Sequence, residues 1–205
     1  MSLIFHYAPM TSAARIHWAL EELEIPFKKR KVDLAKGEQK TPEFLAQNPN
    51  GKVPLLVDDG AAIFESLAIL LYLGERYGVE KGLFPAERME RAQAVTWMSW
   101  AQVSLAEAAT RILRNTSERI PAEERNEKAA AAARKELDDL LAIADAAMAG
   151  KTYLLGEKFS FADLAITGYA PFFTYVGTDL SKFENVQAWF ARCTSRPALA
   201  RAMQS

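Results

Sequence analysis

Val53-Pro54-Leu55-Leu56-Val57-Asp58-Asp59-Gly60-Ala61-Ala62-Ile63-Phe64-Glu65-Ser66 decides the fold. Val53 to Val57 reads as a strand with a proline near its head, Asp58-Asp59-Gly60 is a hairpin turn signal, and Ala61 to Phe64 is the paired strand. Ser66 then opens a strongly apolar helix that runs to about Tyr77. Upstream, Leu3-Ile4-Phe5-His6-Tyr7 is a short β-rich run closed by Pro9. Ile16, Ala19, Leu20 and Leu23 recur at helical spacing behind it, and Phe27 to Val32 forms a second strand. Thr41-Pro42-Glu43-Phe44 opens a short helix, with Thr41 as N-cap and Pro42 at the first helical position. The order β-α-β, short helix, β-β-α predicts one small mixed α/β sheet covered by helices.

Downstream the composition changes. Gly78 to Pro85 carries two glycines and a proline and reads as a linker. Beyond it the periodicity is helical throughout: Arg88 to about Asn115, then a helix from Pro121 with Leu137, Leu140, Leu141, Ala144 and Met148 on one face. Ser160-Phe161-Ala162-Asp163 has capping-box form, with Asp where Glu or Gln is usual, and is read as structural. Val186, Trp189, Phe190 and Cys193 keep helical spacing, and Pro197 marks the last break. The expected division is an α/β domain over residues 1–77, a linker over 78–87 and an all-α domain over 88–205.

Several classes of function are excluded by composition. Twenty-five Lys+Arg balance 26 Asp+Glu, for a net charge of -1, so there is no global footprint for nucleic acid or an anionic membrane. No apolar run approaches the roughly 18–20 residues needed to span a bilayer. The start, MSLIFHYAPM, lacks the basic segment of a signal peptide. One cysteine, Cys193, allows no intramolecular disulfide and no Cys-based metal cluster. Two histidines, His6 and His17, make a zinc site improbable and read as structural or surface residues. The expected compartment is the cytoplasm, and no metal is expected.

Three stretches carry chemistry. Val53-Pro54 reads as a strand start, or as a cis bond that turns the Val53 N–H and C=O outward to pair with an extended peptide. Glu65-Ser66 reads as an ordinary helix cap, or as a site where the helix start and hydroxyl take a carboxylate while Glu65 takes an ammonium. Tyr7 through Arg15 passes from strand to helix, with Thr11 and Ser12 where caps belong. A hydroxyl there can instead donate to a bound thiolate. Lowering a thiol pKa from about 8.5 to about 6.5 takes roughly 2.7 kcal/mol. One hydrogen bond to a charged group supplies roughly 1.5–3 kcal/mol, so no general base is needed.

In order and spacing, these stretches resemble the cytosolic glutathione transferases over essentially the whole chain. The resemblance rests on Tyr7-Ala8-Pro9 through Trp18-Ala19-Leu20-Glu21-Glu22, Asn48-Pro49-Asn50-Gly51-Lys52-Val53-Pro54, Glu65-Ser66 before Leu67-Ala68-Ile69, and Phe159-Ser160-Phe161-Ala162-Asp163. It implies a thioredoxin-like N-terminal domain, an all-helical C-terminal domain and a homodimer with glutathione as co-substrate. Carried over by position, Val53 beside cis-Pro54 would pair with the cysteinyl unit, and Glu65 and Ser66 would hold the γ-glutamyl end. A lysine between Lys36 and Lys40, with Lys52, would meet the glycyl carboxylate; these lysines read equally well as solvated surface.

The activating residue is open at this level. Tyrosine-type members use a tyrosine where Tyr7 stands, and Thr11 takes the place of the serine in serine-type members. Bacterial beta-class members carry a cysteine where Ser12 falls and a histidine where Ala106 falls. Both departures turn the expectation from cysteine chemistry to a hydroxyl, Thr11 or Ser12 before Tyr7. The implied activity is conjugation of the glutathione thiolate to small hydrophobic electrophiles in detoxification, or glutathione-dependent peroxide reduction. A non-enzymatic binding or stress protein on the same fold is the rival. The electrophile pocket is expected to draw on Met10, Trp100, Arg111 and Tyr169.

Overall fold

The computed structural model describes residues 2–204. Four strands, β1 (Leu3–Tyr7), β2 (Lys28–Lys31), β3 (Leu55–Asp58) and β4 (Ala61–Phe64), form one sheet in the order β2-β1-β3-β4. β1 and β2 are parallel, as the crossover helix α1 (Ala13–Leu23) requires, whereas β1–β3 and β3–β4 are antiparallel. The short helix α2 (Pro42–Leu45) starts as the sequence predicts, with Thr41 accepting from the Phe44 amide. The α3 helix (Ser66–Leu73) continues through a π-helical turn over Gly74–Gly78.

Alternation along β1 sets its two faces. Phe5 and Tyr7 stack at 5.6 Å and both rings meet His17 of α1, while His6 points the other way, edge-on to Phe44 of α2. Both histidines are buried, so neither is the surface residue that the sequence reading allowed. Burial pushes the pKa of each down, with Arg30 adding to the effect at His6 and Lys29 at His17.

Helices α4 (Arg88–Trp100), α5 (Ala106–Thr116), α6 (Glu127–Met148), α7 (Phe161–Thr167), α8 (Ala170–Tyr175) and α9 (Glu184–Thr194) follow, then α10 (Pro197–Met203). The expected long helix from Arg88 is interrupted by a π-helical turn over Ala101–Leu105. The helix expected from Pro121 begins later, at Glu127, where Asn126 caps it. All seven residues of α7 are buried. Its Asp163 accepts from the Leu154 amide (2.8 Å), the Ser160 amide (2.8 Å), the Ser160 hydroxyl (2.9 Å) and the Trp189 indole (2.9 Å). The capping box is therefore present and also ties α7 to α9.

The chain divides into two compact units, one running to Ala86 and taking back the residues from Ser195 on, the other Glu87–Thr194. This differs from the expected boundaries at both places. Residues 78–86 are not an open linker: Leu83 and Phe84 are buried, and a Cβ on Gly74 would lie 2.8 Å from the Phe84 ring. The tail returns to the first unit because Arg196 donates to both carboxylate oxygens of Glu22 (2.7 and 2.6 Å) and Arg201 to Glu21 (2.9 Å). Charge pairing 174 residues apart in sequence has no local pattern to announce it.

Candidate functional site

The strand register brings the chemistry-bearing stretches to one end of the sheet. Leu55 pairs with both His6 and Phe64, so the end of β1, the start of β3 and the end of β4 lie side by side. The start of α1 follows β1, and the start of α3 follows β4. Val53 and Pro54 stand just before β3, joined by a cis peptide. Val53 lies beyond the β1–β3 ladder, which ends at the His6–Leu55 pair, so its backbone is outside the sheet pairing.

At the start of α3, Glu65 is exposed and adopts φ 70°, in the left-handed region, where a non-glycine residue is uncommon and often functional. Its side chain does not cap the helix. Instead Glu65 accepts from the Asn50 side-chain amide at 3.1 Å. Ser66 is 5 % exposed, and its hydroxyl oxygen accepts from the Arg15 guanidinium at 3.2 Å. The cap reading of Glu65-Ser66 is thus not the arrangement found. The first-turn N–H groups of α3 receive no side-chain cap from Glu65, which leaves a helix start suited to an anion.

The loop between α2 and β3 is shaped by buried Asn48, which donates to the Lys52 carbonyl (2.7 Å) and accepts from the Asn50 amide (3.1 Å). Gly51 has φ 58°, and a Cβ there would lie 2.6 Å from Lys40 Nζ and 2.9 Å from the Gln39 carbonyl oxygen. Glycine lets Lys40 lie on the loop, where it donates to the Asn50 carbonyl at 3.2 Å. Lys40, Asn50 and Glu65 are so linked by hydrogen bonds. Lys52 is exposed beside them in sequence. Lys36 is not brought into this network; it pairs with Asp33 at 3.5 Å on an exposed turn.

The three hydroxyls at the β1–α1 junction differ. Thr11 donates to the Ala8 carbonyl at 2.8 Å and accepts from the Ala13 amide at 3.3 Å. Ser12 is exposed, sits at the N-cap position of α1 and makes no cap hydrogen bond. Tyr7 is half-buried, stacked on Phe5 and tilted against His17. Met10 is 87 % exposed with φ 57°.

The remaining expected pocket residues belong to the second unit. Trp100 ends α4, edge-on to Trp97 at 5.2 Å. Tyr169 is buried and donates to the Gln102 side chain at 3.0 Å, from just after α7 to the π-helical turn. Arg111 is engaged by Glu136 of α6 and by Glu107, so its charge serves a pairing between α5 and α6.

Sequence reasoning missed Arg15, Asn48 and Asn50 as site residues. Arg15 offered one signal, a charged residue among the buried positions of α1, of which only a tertiary partner explains the burial. Cys193 is buried. Among the described residues no group of three His, Cys, Asp or Glu could hold a metal ion, and no helix is long and apolar enough to cross a membrane.

A family model described as "Glutathione S-transferase, N-terminal domain" matches residues 1–75, and one described as "Glutathione S-transferase, C-terminal domain" matches residues 98–197. Glutathione S-transferase GstB of Escherichia coli K12 is 36% identical over 195 residues, 94% of this chain and 93% of that one. Disulfide-bond oxidoreductase YfcG of the same organism is 32% identical over 205 residues, 97% of this chain and 93% of the other. Among solved structures, a glutathione transferase from Burkholderia graminis with two glutathione molecules bound per subunit superposes with a TM-score of 0.90 at 25% identity. That match covers 100% of this chain and 88% of the other.

Proposed function

We propose, on the premise that this chain belongs to the glutathione S-transferase family and is a glutathione transferase, that its first unit holds glutathione along the sheet end just described. Glu65 takes the γ-glutamyl ammonium, and Ser66 with the start of α3 takes the γ-glutamyl carboxylate. The Val53 backbone pairs with the cysteinyl unit as an added strand. Lys40 and Lys52 meet the glycyl carboxylate. Ser12 donates to the sulfur, because its hydroxyl is exposed and uncommitted to a cap, whereas the Thr11 proton serves Ala8.

The observation that carries this reading is that neither Glu65 nor Ser66 does the capping work that would explain it structurally. Catalysis then needs a raised thiolate fraction and an electrophile held close to it. Met10, exposed at the β1–α1 junction of the first unit, is assigned to the electrophile side. The enzyme acts as a homodimer in the cytoplasm in detoxification of small hydrophobic electrophiles.

Calorimetric titration of glutathione into Glu65→Ala and Ser66→Ala tests the reading. Loss of one charge-assisted contact corresponds to about a ten- to hundred-fold weaker affinity. Unchanged affinity with a large fall in melting temperature would sink it.

A redox reading has one support of its own, the 32% identity to a disulfide-bond oxidoreductase. Cys193 is buried, so both thiols would come from glutathione: two glutathiones and one disulfide give oxidised glutathione and two thiols. Two glutathiones and a hydroperoxide likewise give oxidised glutathione, an alcohol and water. Rates with an aryl halide, an organic hydroperoxide and a small disulfide separate the three.

A further inference from the structure

We infer that Arg15 is a positioning residue for the γ-glutamyl carboxylate, acting through Ser66; the inference rests on the glutathione site proposed above. Arg15 lies in the first turn and a half of α1 and is 5 % exposed. Arginine is almost never buried without specific partners, and one of its guanidinium N–H groups reaches the hydroxyl oxygen of Ser66, itself 5 % exposed, at 3.2 Å.

A serine hydroxyl has one proton to give and two lone pairs. The guanidinium occupies a lone pair and, having no acceptor, cannot receive the proton. The Ser66 O–H is therefore directed away from Arg15. At the first residue of α3, the direction left to it is the helix start, where orphan N–H groups already favour an anion. Arg15 so fixes Ser66 as a donor rather than an acceptor.

It does a second thing at the same place. A permanent positive charge is set behind the hydroxyl, in a poorly solvated position where charge is weakly screened. Charge-assisted hydrogen bonds are stronger than neutral ones, and polarising Ser66 carries part of that gain to the ligand. Glu65 supplies the opposite charge alongside, held by Asn50. One end of the site thus has a cation behind a donor and an anion beside it, the arrangement that recognises a zwitterionic amino-acid head group.

The test is discrimination between glutathione and its analogue lacking the γ-glutamyl α-carboxylate, measured as Kd and KM for the wild type, Arg15→Met and Arg15→Lys. The wild type is expected to bind the analogue at least tenfold more weakly. Arg15→Met should raise Kd and KM for glutathione about tenfold or more while leaving kcat at saturation and the affinity for the analogue nearly unchanged. Ser66→Ala should cost less in the Arg15→Met background than alone.

Arg15→Lys keeps the charge and loses the guanidinium geometry, so it serves if the Met variant fails to fold, and it should show the same selective loss in smaller measure. Equal losses for glutathione and the analogue in either folded variant would make Arg15 structural and overturn the inference. A wild type that does not distinguish the two ligands would instead overturn the site reading itself.

Discussion

The Thr11 hydroxyl donates to the carbonyl oxygen of Ala8 at 2.8 Å, so its single proton is spent inside the turn that leads into α1. Ser12, one residue on, has no such commitment. Removing the Ser12 hydroxyl is therefore expected to raise the pKa of the bound glutathione thiol by about one to two units, the equivalent of one hydrogen bond to a charge. Thr11→Val and Tyr7→Phe should move it much less. Thiolate absorbance of the complex against pH measures this, and a large shift in Tyr7→Phe alone would make the enzyme tyrosine-type.

Asp163 is expected to dominate the stability of the second unit. Replacing it with alanine leaves the Leu154 and Ser160 amides and the Trp189 indole without their acceptor in a buried site. The cost should exceed about 3 kcal/mol, a large share of an ordinary domain's stability. Urea unfolding is the measurement; a loss under about 1 kcal/mol would mean that water reaches the site freely.

His6 gives a pH dependence with a definite sign. Burial lowers its pKa below 6.5, so as pH falls the unfolded chain takes up the proton first. The stability it contributes is fully present above the unfolded value and is lost as pH falls through the lower folded value. Between pH 7 and 5 the unfolding free energy from urea titrations should fall, with His6 contributing at most about 1.4 kcal/mol per pH unit. His6→Phe should reduce that slope and leave the part due to His17, whose pKa burial also lowers, since phenylalanine keeps the packing on Phe44 without a proton to bind; an unchanged slope would assign it elsewhere.

The tail should be held by Glu22. Arg196→Ala removes two hydrogen bonds from a carboxylate whose side chain is 5% exposed, while Arg196 itself is 29% exposed. Between the small value of surface pairs and the larger value of buried ones, a loss of about 1–3 kcal/mol is expected. A double-mutant cycle with Glu22→Gln isolates the pair, and additivity of the two substitutions would remove it as the anchor.

What the sequence determined by itself is local. The Asp59-Gly60 turn, Pro42 behind its Thr41 cap, the Ser160–Asp163 box and the periodicities of α1, α6 and α9 are each written within about one or two helical turns, where backbone geometry and side-chain spacing act directly. Together with the ordered stretches at Tyr7, Asn48–Pro54 and Glu65-Ser66 they specified a mixed sheet followed by helices, and its family. What only the tertiary structure decided depends on partners distant along the chain. Glu22 recruits the tail through Arg196, Phe84 closes the would-be linker over Gly74, and Arg15 takes the Ser66 lone pair across 51 residues. The difference between Thr11 and Ser12 belongs here too: both fit a cap by sequence, and only the fold's turn at Ala8 uses up one hydroxyl and leaves the other exposed, because hydrogen bonding is settled by where atoms meet and not by residue type.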